Sequence, residues 1–198
     1  MFTKSANKMT ESLVSNNIID RSDFEIYRIG FEMGFAIIAY VLTTLSIGFI
    51  FRMPLESLLF IFAFYPLRSY VGGFHTSNHF RCYWLSMLAT VAVLFTIRFV
   101  VSMYSAPLIV VIAGICVAIM FFLVPVQDAN RPLEDIEIRV FGRRARIVLG
   151  AELAALIIAS AVGLITISAI IFCTILLSGI AVFAGAIKNK VKSIEPLS

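Results

Sequence analysis

Between two strongly apolar stretches the chain reads Arg68-Ser69-Tyr70-Val71-Gly72-Gly73-Phe74-His75-Thr76-Ser77-Asn78-His79-Phe80-Arg81-Cys82, a segment that holds both histidines of the protein. Cysteine acts as a nucleophile in its thiolate form, which nearby positive charge stabilises and an adjacent histidine generates by taking the proton. Arg68, His75, His79 and Arg81 supply that setting around Cys82. In one unbroken helix His75 and Cys82 would stand roughly 10.5 Å apart along the axis, beyond the ~3 Å reach of a general base. The chain must therefore bend between them, and Gly72-Gly73 with Thr76-Ser77-Asn78 are residue types that permit a turn. His79 competes, because three residues before Cys82 it shares a helical face with the thiol without any turn. Spacing leaves that choice open, and it leaves open a polar connector carrying one incidental cysteine. One Cys and two His lack the fourth ligand and the paired spacing of a zinc site, so neither a metal nor a cofactor is expected.

The elements that position this segment are set by composition. Of the 198 residues, 60% are hydrophobic and 14% charged, well above the roughly half apolar share of soluble domains. The apolar residues fall in blocks of about 15 to 23, the length an α-helix needs to cross a hydrocarbon core. Stretches such as Leu153 to Ile171 show none of the alternation of a membrane β-barrel. The expected fold is an all-α, polytopic membrane helix bundle of about six spans, near 29–51, 54–67, 83–103, 106–126, 147–167 and 169–187. The second span is short or re-entrant. Phe2, Ala6, Met9 and Leu13 recur at helical spacing, which predicts an amphipathic N-terminal helix in the membrane interface. No linker or repeat divides the chain, so 1–198 reads as a single domain. Its parts are an N-terminal segment over 1–28, the candidate catalytic loop over 68–82 and a basic loop over 127–146. The first 28 residues lack the apolar core of a signal peptide. Cys116 and Cys173 lie within apolar blocks, and three cysteines imply no disulfide framework.

Charge orients the spans. With the amino terminus inside, every one of the 16 basic residues except Arg52 and Arg98 falls on cytoplasmic segments, as the positive-inside rule requires. Both termini and the Cys82 segment then face the cytoplasm of a cell membrane. The net charge of +4 is explained by span ends near anionic headgroups, and a nucleic-acid partner is not expected. Arg131, Arg139, Arg143, Arg144 and Arg146 exceed what orientation needs and are candidates for holding an acidic peptide, although Glu134, Asp135 and Glu137 lie among them. Gly30 and Gly34 form a GxxxG pair able to admit a neighbouring helix.

The run Arg68 to His75, with Cys82 seven residues on, resembles the signature of the accessory gene regulator protein B (AgrB) family of bacterial quorum-sensing membrane endopeptidases. Val124-Pro125-Val126-Gln127-Asp128-Ala129-Asn130-Arg131-Pro132-Leu133 is similar to that family's cytoplasmic loop. The resemblance implies Cys82 as nucleophile and His75 as base, with Arg68 and Gly73, and Gly72 beside it, in supporting roles. It implies a small precursor peptide as partner, with an amphipathic amino-terminal helix and an acidic carboxyl-terminal tail. The tail is removed, the remainder is held as a thioester, and an internal Cys or Ser closes a cyclic thiolactone or lactone. A homodimer is implied as well. Two rivals stay in view. A transporter component would use Glu32, Glu56, Arg98 or Glu152, all placed near span ends, and a catalytically silent scaffold would keep the architecture alone.

Overall fold

The computed structural model describes residues 2–72, 79–126 and 134–194, and of 79–82 and 191–194 the backbone only. The described residues form helices α1 (Thr3–Ser15), α2 (Phe24–Ile50), α3 (Pro54–Val71), α4 (His79–Ser102), α5 (Ala106–Leu123), α6 (Asp135–Val162) and α7 (Ile165–Ile194). All but α1 and α3 are long and apolar enough to cross a membrane, so the molecule is an all-α, multi-pass membrane protein set in a lipid bilayer. The second of the expected spans, α3, has 18 residues, opens at Pro54 and contains Pro66 and Arg68. Of α2 to α7 it is the one that falls short of the length and apolarity needed to cross a membrane, in line with the short second block.

Three connections, 51–53, 103–105 and 163–164, are tight turns, so the helices they join run antiparallel. The other ends of α2 to α7 gather at the opposite end of the bundle, together with α1. That second end carries Arg28, Arg68, Arg139, Arg143, Arg144, Arg146, Lys188 and Lys190, while Arg52 and Arg98 lie toward the first. Central among the helices is α7, which buries Ala169, Ile170, Ile175 and Val182 and packs on α3, α4, α5 and α6. With lipid as apolar as the helix surfaces, close packing at small residues holds such a bundle together. A Cβ placed on Gly179 of α7 would come within 2.6 Å of Cys116 Sγ on α5, and one on Gly48 of α2 within 1.8 Å of Ser57 Oγ on α3.

Three boundaries differ from the sequence reading. Gly163 adopts φ +81° and caps α6, moving the last turn some five residues earlier than an apolar count places it. A left-handed glycine is a stronger stop than any change in hydropathy. Most of the expected 127–146 loop is helix: Glu134 and Glu137 cap each other's backbone N–H groups, and Glu137 Oε2 accepts from Glu134 N at 3.0 Å. This reciprocal cap starts α6 at Asp135, so the arginines from 139 to 146 ride on a helix. Likewise the N-terminal helix, expected over residues 2 to 20, ends at Ser15 as α1. It buries Ala6 and Thr10, Thr3 Oγ1 donates to Glu32 Oε1 on α2 at 2.8 Å, and the Phe2 and Phe35 rings lie 6.0 Å apart. Gly30 and Gly34 have open space beside them, and the packing within the chain does not use the GxxxG face.

Candidate active site

The floor of the site is the end of α3. Its last turn buries Leu67 and Val71, which anchors the backbone from which Arg68 and Tyr70 project. Helix ends here because Gly72 takes φ +75° and ψ −142°, a combination essentially restricted to glycine. In that conformation Gly72 pairs in parallel with Val126, and Val126 N donates to the Val71 carbonyl at 3.1 Å. A Cβ at Gly72 would lie 2.2 Å from the Val126 carbonyl oxygen, so the approach is one only glycine permits. Arg68 Nη1 donates to the Gly72 carbonyl, satisfying a group that the end of the helix would leave bare. The start of the signature-like run, 68–72, and the start of the loop-like run, 124–126, are thus in contact.

One wall comes from α6. Its basic first turns cross the end of α3, with Phe141 6.4 Å from the Tyr70 ring and the Arg144 guanidinium 5.7 Å over it, within cation–π range. Arg146 is used differently: its Nε donates to the Phe121 carbonyl at 3.3 Å, and its guanidinium sits 5.2 Å over the Phe121 ring. It caps the end of α5, whose last carbonyls have no helical partner. Arg143 is exposed. Of the three arginines, Arg144 reaches the end of α3 through Tyr70, whereas Arg146 is bound to the end of α5.

The other wall is α4. Within the described residues its helical backbone runs from His79, so the backbones of His79 and Cys82 lie one turn apart on it. Leu85 and Ser86, three and four residues on, line a cavity of about 200 Å³ together with Arg68, Phe64 and residues of α2 and α7. Arg68 and the helical face that includes position 82 therefore meet at one space. His75, Gly73 and Arg131, and with them the turn expected near Ser77, lie outside the described residues. The choice between His75 and His79 is not made by these contacts. The sequence assigned no role to Tyr70, Val126 or the cavity residues other than Arg68. Ser86 was within its reach, being one helical turn from Cys82, whereas no sequence pattern announces that Tyr70 meets Arg144.

These features define a class: a multi-pass helical membrane protein with a polar, arginine-rich site at one end of its bundle. The family model for accessory gene regulator B matches residues 6–184, and the chain belongs to the AgrB family. It is 27% identical over 137 residues to AgrB-like protein 2 of Clostridium perfringens strain 13, covering 65% of this chain and 63% of that one. To an AgrB-like protein of strain SM101 it is 26% identical over 136 residues, again 65% and 63% of the two chains. The alignments thus span a little under two thirds of these relatives' length. No solved structure matches.

Proposed function

We propose that this protein is a membrane cysteine endopeptidase that cuts the carboxyl-terminal tail from a small precursor peptide and releases the remainder as a cyclic thiolactone or lactone. The observation that carries the reading is the meeting of Arg68, the Gly72 to Val126 pairing and the first turns of α4 at one end of the bundle. Cys82 is the nucleophile. Its thiolate attacks the scissile carbonyl carbon, and the peptide bond breaks. His75 takes the thiol proton and delivers it to the departing amine, leaving the acyl part as a thioester. An internal thiol or hydroxyl of the peptide attacks that thioester and frees Cys82, and a site shielded from water lets this second nucleophile win. Arg68 holds the end of α3 in place, Gly72 and Gly73 shape the turn, and the basic face of Arg131, Arg143 and Arg144 steers an acidic tail. In this reading both termini and the site lie on the cytoplasmic side, which the charge asymmetry between the two ends supports, and a homodimer is the working assembly.

Coexpressing the chain with the short open reading frame beside its gene, and following the peptide by mass, tests this. Cys82→Ala should abolish tail removal, His75→Ala should lower it by roughly the 10²–10⁴-fold of a lost general base, and His79→Ala should leave it close to wild type. Undiminished cleavage by the Cys82 variant would overturn the mechanism, and reversed histidine effects would move the base to His79.

A further inference from the structure

Resting on that peptidase reading, we propose that the cavity between α2, α3, α4 and α7 is a specificity pocket for one apolar side chain, that of the substrate residue on the acyl side of the scissile bond. The cavity holds about 200 Å³, several times the ~30 Å³ share of a water molecule, and a dry apolar cavity of about 150 Å³ already takes a benzene-sized group. Leu85 and Ile180, at its mouth, are exposed, so a side chain can enter it from outside the bundle. It exists because α7 presents Ala181 and Ala184 where larger residues would close it. Tyr40 and Phe64 give it aromatic sides and Ser86 and Arg68 a polar edge.

Placement identifies the occupant. Leu85 and Ser86 share a helical face with position 82, so the pocket begins about one turn from the nucleophile. Arg68 links it to the Gly72 carbonyl, which sets its polar edge at the catalytic end of the bundle. After the peptide bond breaks, the amine portion must leave to water, while the acyl portion stays bonded to Cys82 until the ring closes. A pocket between transmembrane helices, away from the aqueous face, suits the part that stays. Holding its side chain fixes the thioester carbonyl for attack from within the peptide and keeps water off it.

The full-length protein in lipid nanodiscs is presented with synthetic precursors, of the sequence encoded beside its gene, that differ only in the residue before the cleaved bond: Leu, Phe, Ala or Asp. Thioester on Cys82 is read by intact mass and tail release by its rate. Wild type should process the Leu and Phe peptides at least tenfold faster than the Asp peptide. Ala181→Leu, and independently Ala184→Leu, should slow the Phe peptide tenfold or more while sparing the Ala peptide. Equal rates across the wild-type panel overturn the pocket assignment, as does an unchanged order of preference in a folded filled variant, the result expected if a lipid chain occupies the space. Thioester formation without side-chain selectivity overturns the pocket alone, whereas no thioester on wild-type Cys82 overturns the peptidase reading with it.

Discussion

Gly72→Ala is the sharpest single-atom perturbation of the site. The added Cβ would stand 2.2 Å from the Val126 carbonyl oxygen, whereas carbon and oxygen approach comfortably at about 3.3 Å. Backbone must move by about 1 Å, because the obstacle is main chain and has no rotamer in which to escape. The φ of +75° adds a conformational cost of about 1–3 kcal/mol for any residue with a Cβ. A 1 Å displacement beside a reacting group lowers rates by about 10²-fold. The expected result is therefore a folded protein whose tail-cleavage rate falls by about two orders of magnitude, with a small drop in thermal stability. Gly150→Ala is the control, since Gly150 lies within α6 with nothing close to it, and it should cleave like wild type. Val126→Ala added to Gly72→Ala should restore nothing, because the clash is with the carbonyl. Cleavage by Gly72→Ala within about twofold of wild type would show that the pairing does not position the site.

Charge reversal at Arg143 and Arg144 together should weaken binding of a precursor with an acidic tail, by tenfold or more at low salt and less at high salt, with stability lowered by no more than about 0.5–1 kcal/mol, the worth of the Arg144 to Tyr70 contact; salt-independent affinity in detergent argues against steering. Arg146→Ala should instead lower the melting temperature, since it uncaps α5 at the Phe121 carbonyl, with a loss of about 1–3 kcal/mol. Gly48→Ala, whose Cβ would meet Ser57 Oγ at 1.8 Å and Ser57 Cβ at 2.8 Å, should cost about 1–3 kcal/mol by overpacking, read as a lowered melting temperature that Ser57→Ala relieves only in part. Glu152 of α6 has a buried Oε2 with no hydrogen-bond partner among the described residues. Glu152→Gln should leave peptide cleavage intact, and a variant that abolished an ion flux instead would revive the transporter alternative.

How much of this was legible beforehand follows from which forces are local. Lipid demands runs of apolar residues, and those runs are visible directly, so the bundle and the weakness of its second span could be read from hydropathy. Helix ends depend on single residues. Gly163 and the Glu134 and Glu137 cap moved two boundaries because hydropathy is blind to a left-handed glycine and to reciprocal side-chain caps. The chemistry-bearing segment could be found because Cys82 is the one cysteine with polar neighbours. What the sequence could not tell is which of several arginines serves which purpose. Arg144 and Arg146 stand two residues apart on one helix, yet one stacks on Tyr70 of α3 and the other on Phe121 of α5. That division depends on tertiary packing with no trace in local pattern.

Close packing also links the site to the basic helix. Val126 pairs with Gly72, its neighbour Pro125 lies against Gly142 of α6, where a Cβ would come within 3.1 Å of Pro125 Cδ, and Arg144, two residues on from Gly142, returns to Tyr70. The loop of contacts is closed: α3 to the 124–126 segment, to α6, and back to α3. Packed interiors transmit displacement instead of absorbing it, so a peptide tail pulling on the basic face of α6 would bear on the backbone at Gly72. Gly142→Val tests this coupling, since it wedges α6 away from Pro125 without touching Arg68, Gly72 or α4. If the contact loop operates, this variant should lose cleavage rate and precursor affinity together. Loss of affinity with an unchanged rate on bound peptide would mean that the basic face and the cysteine site work independently.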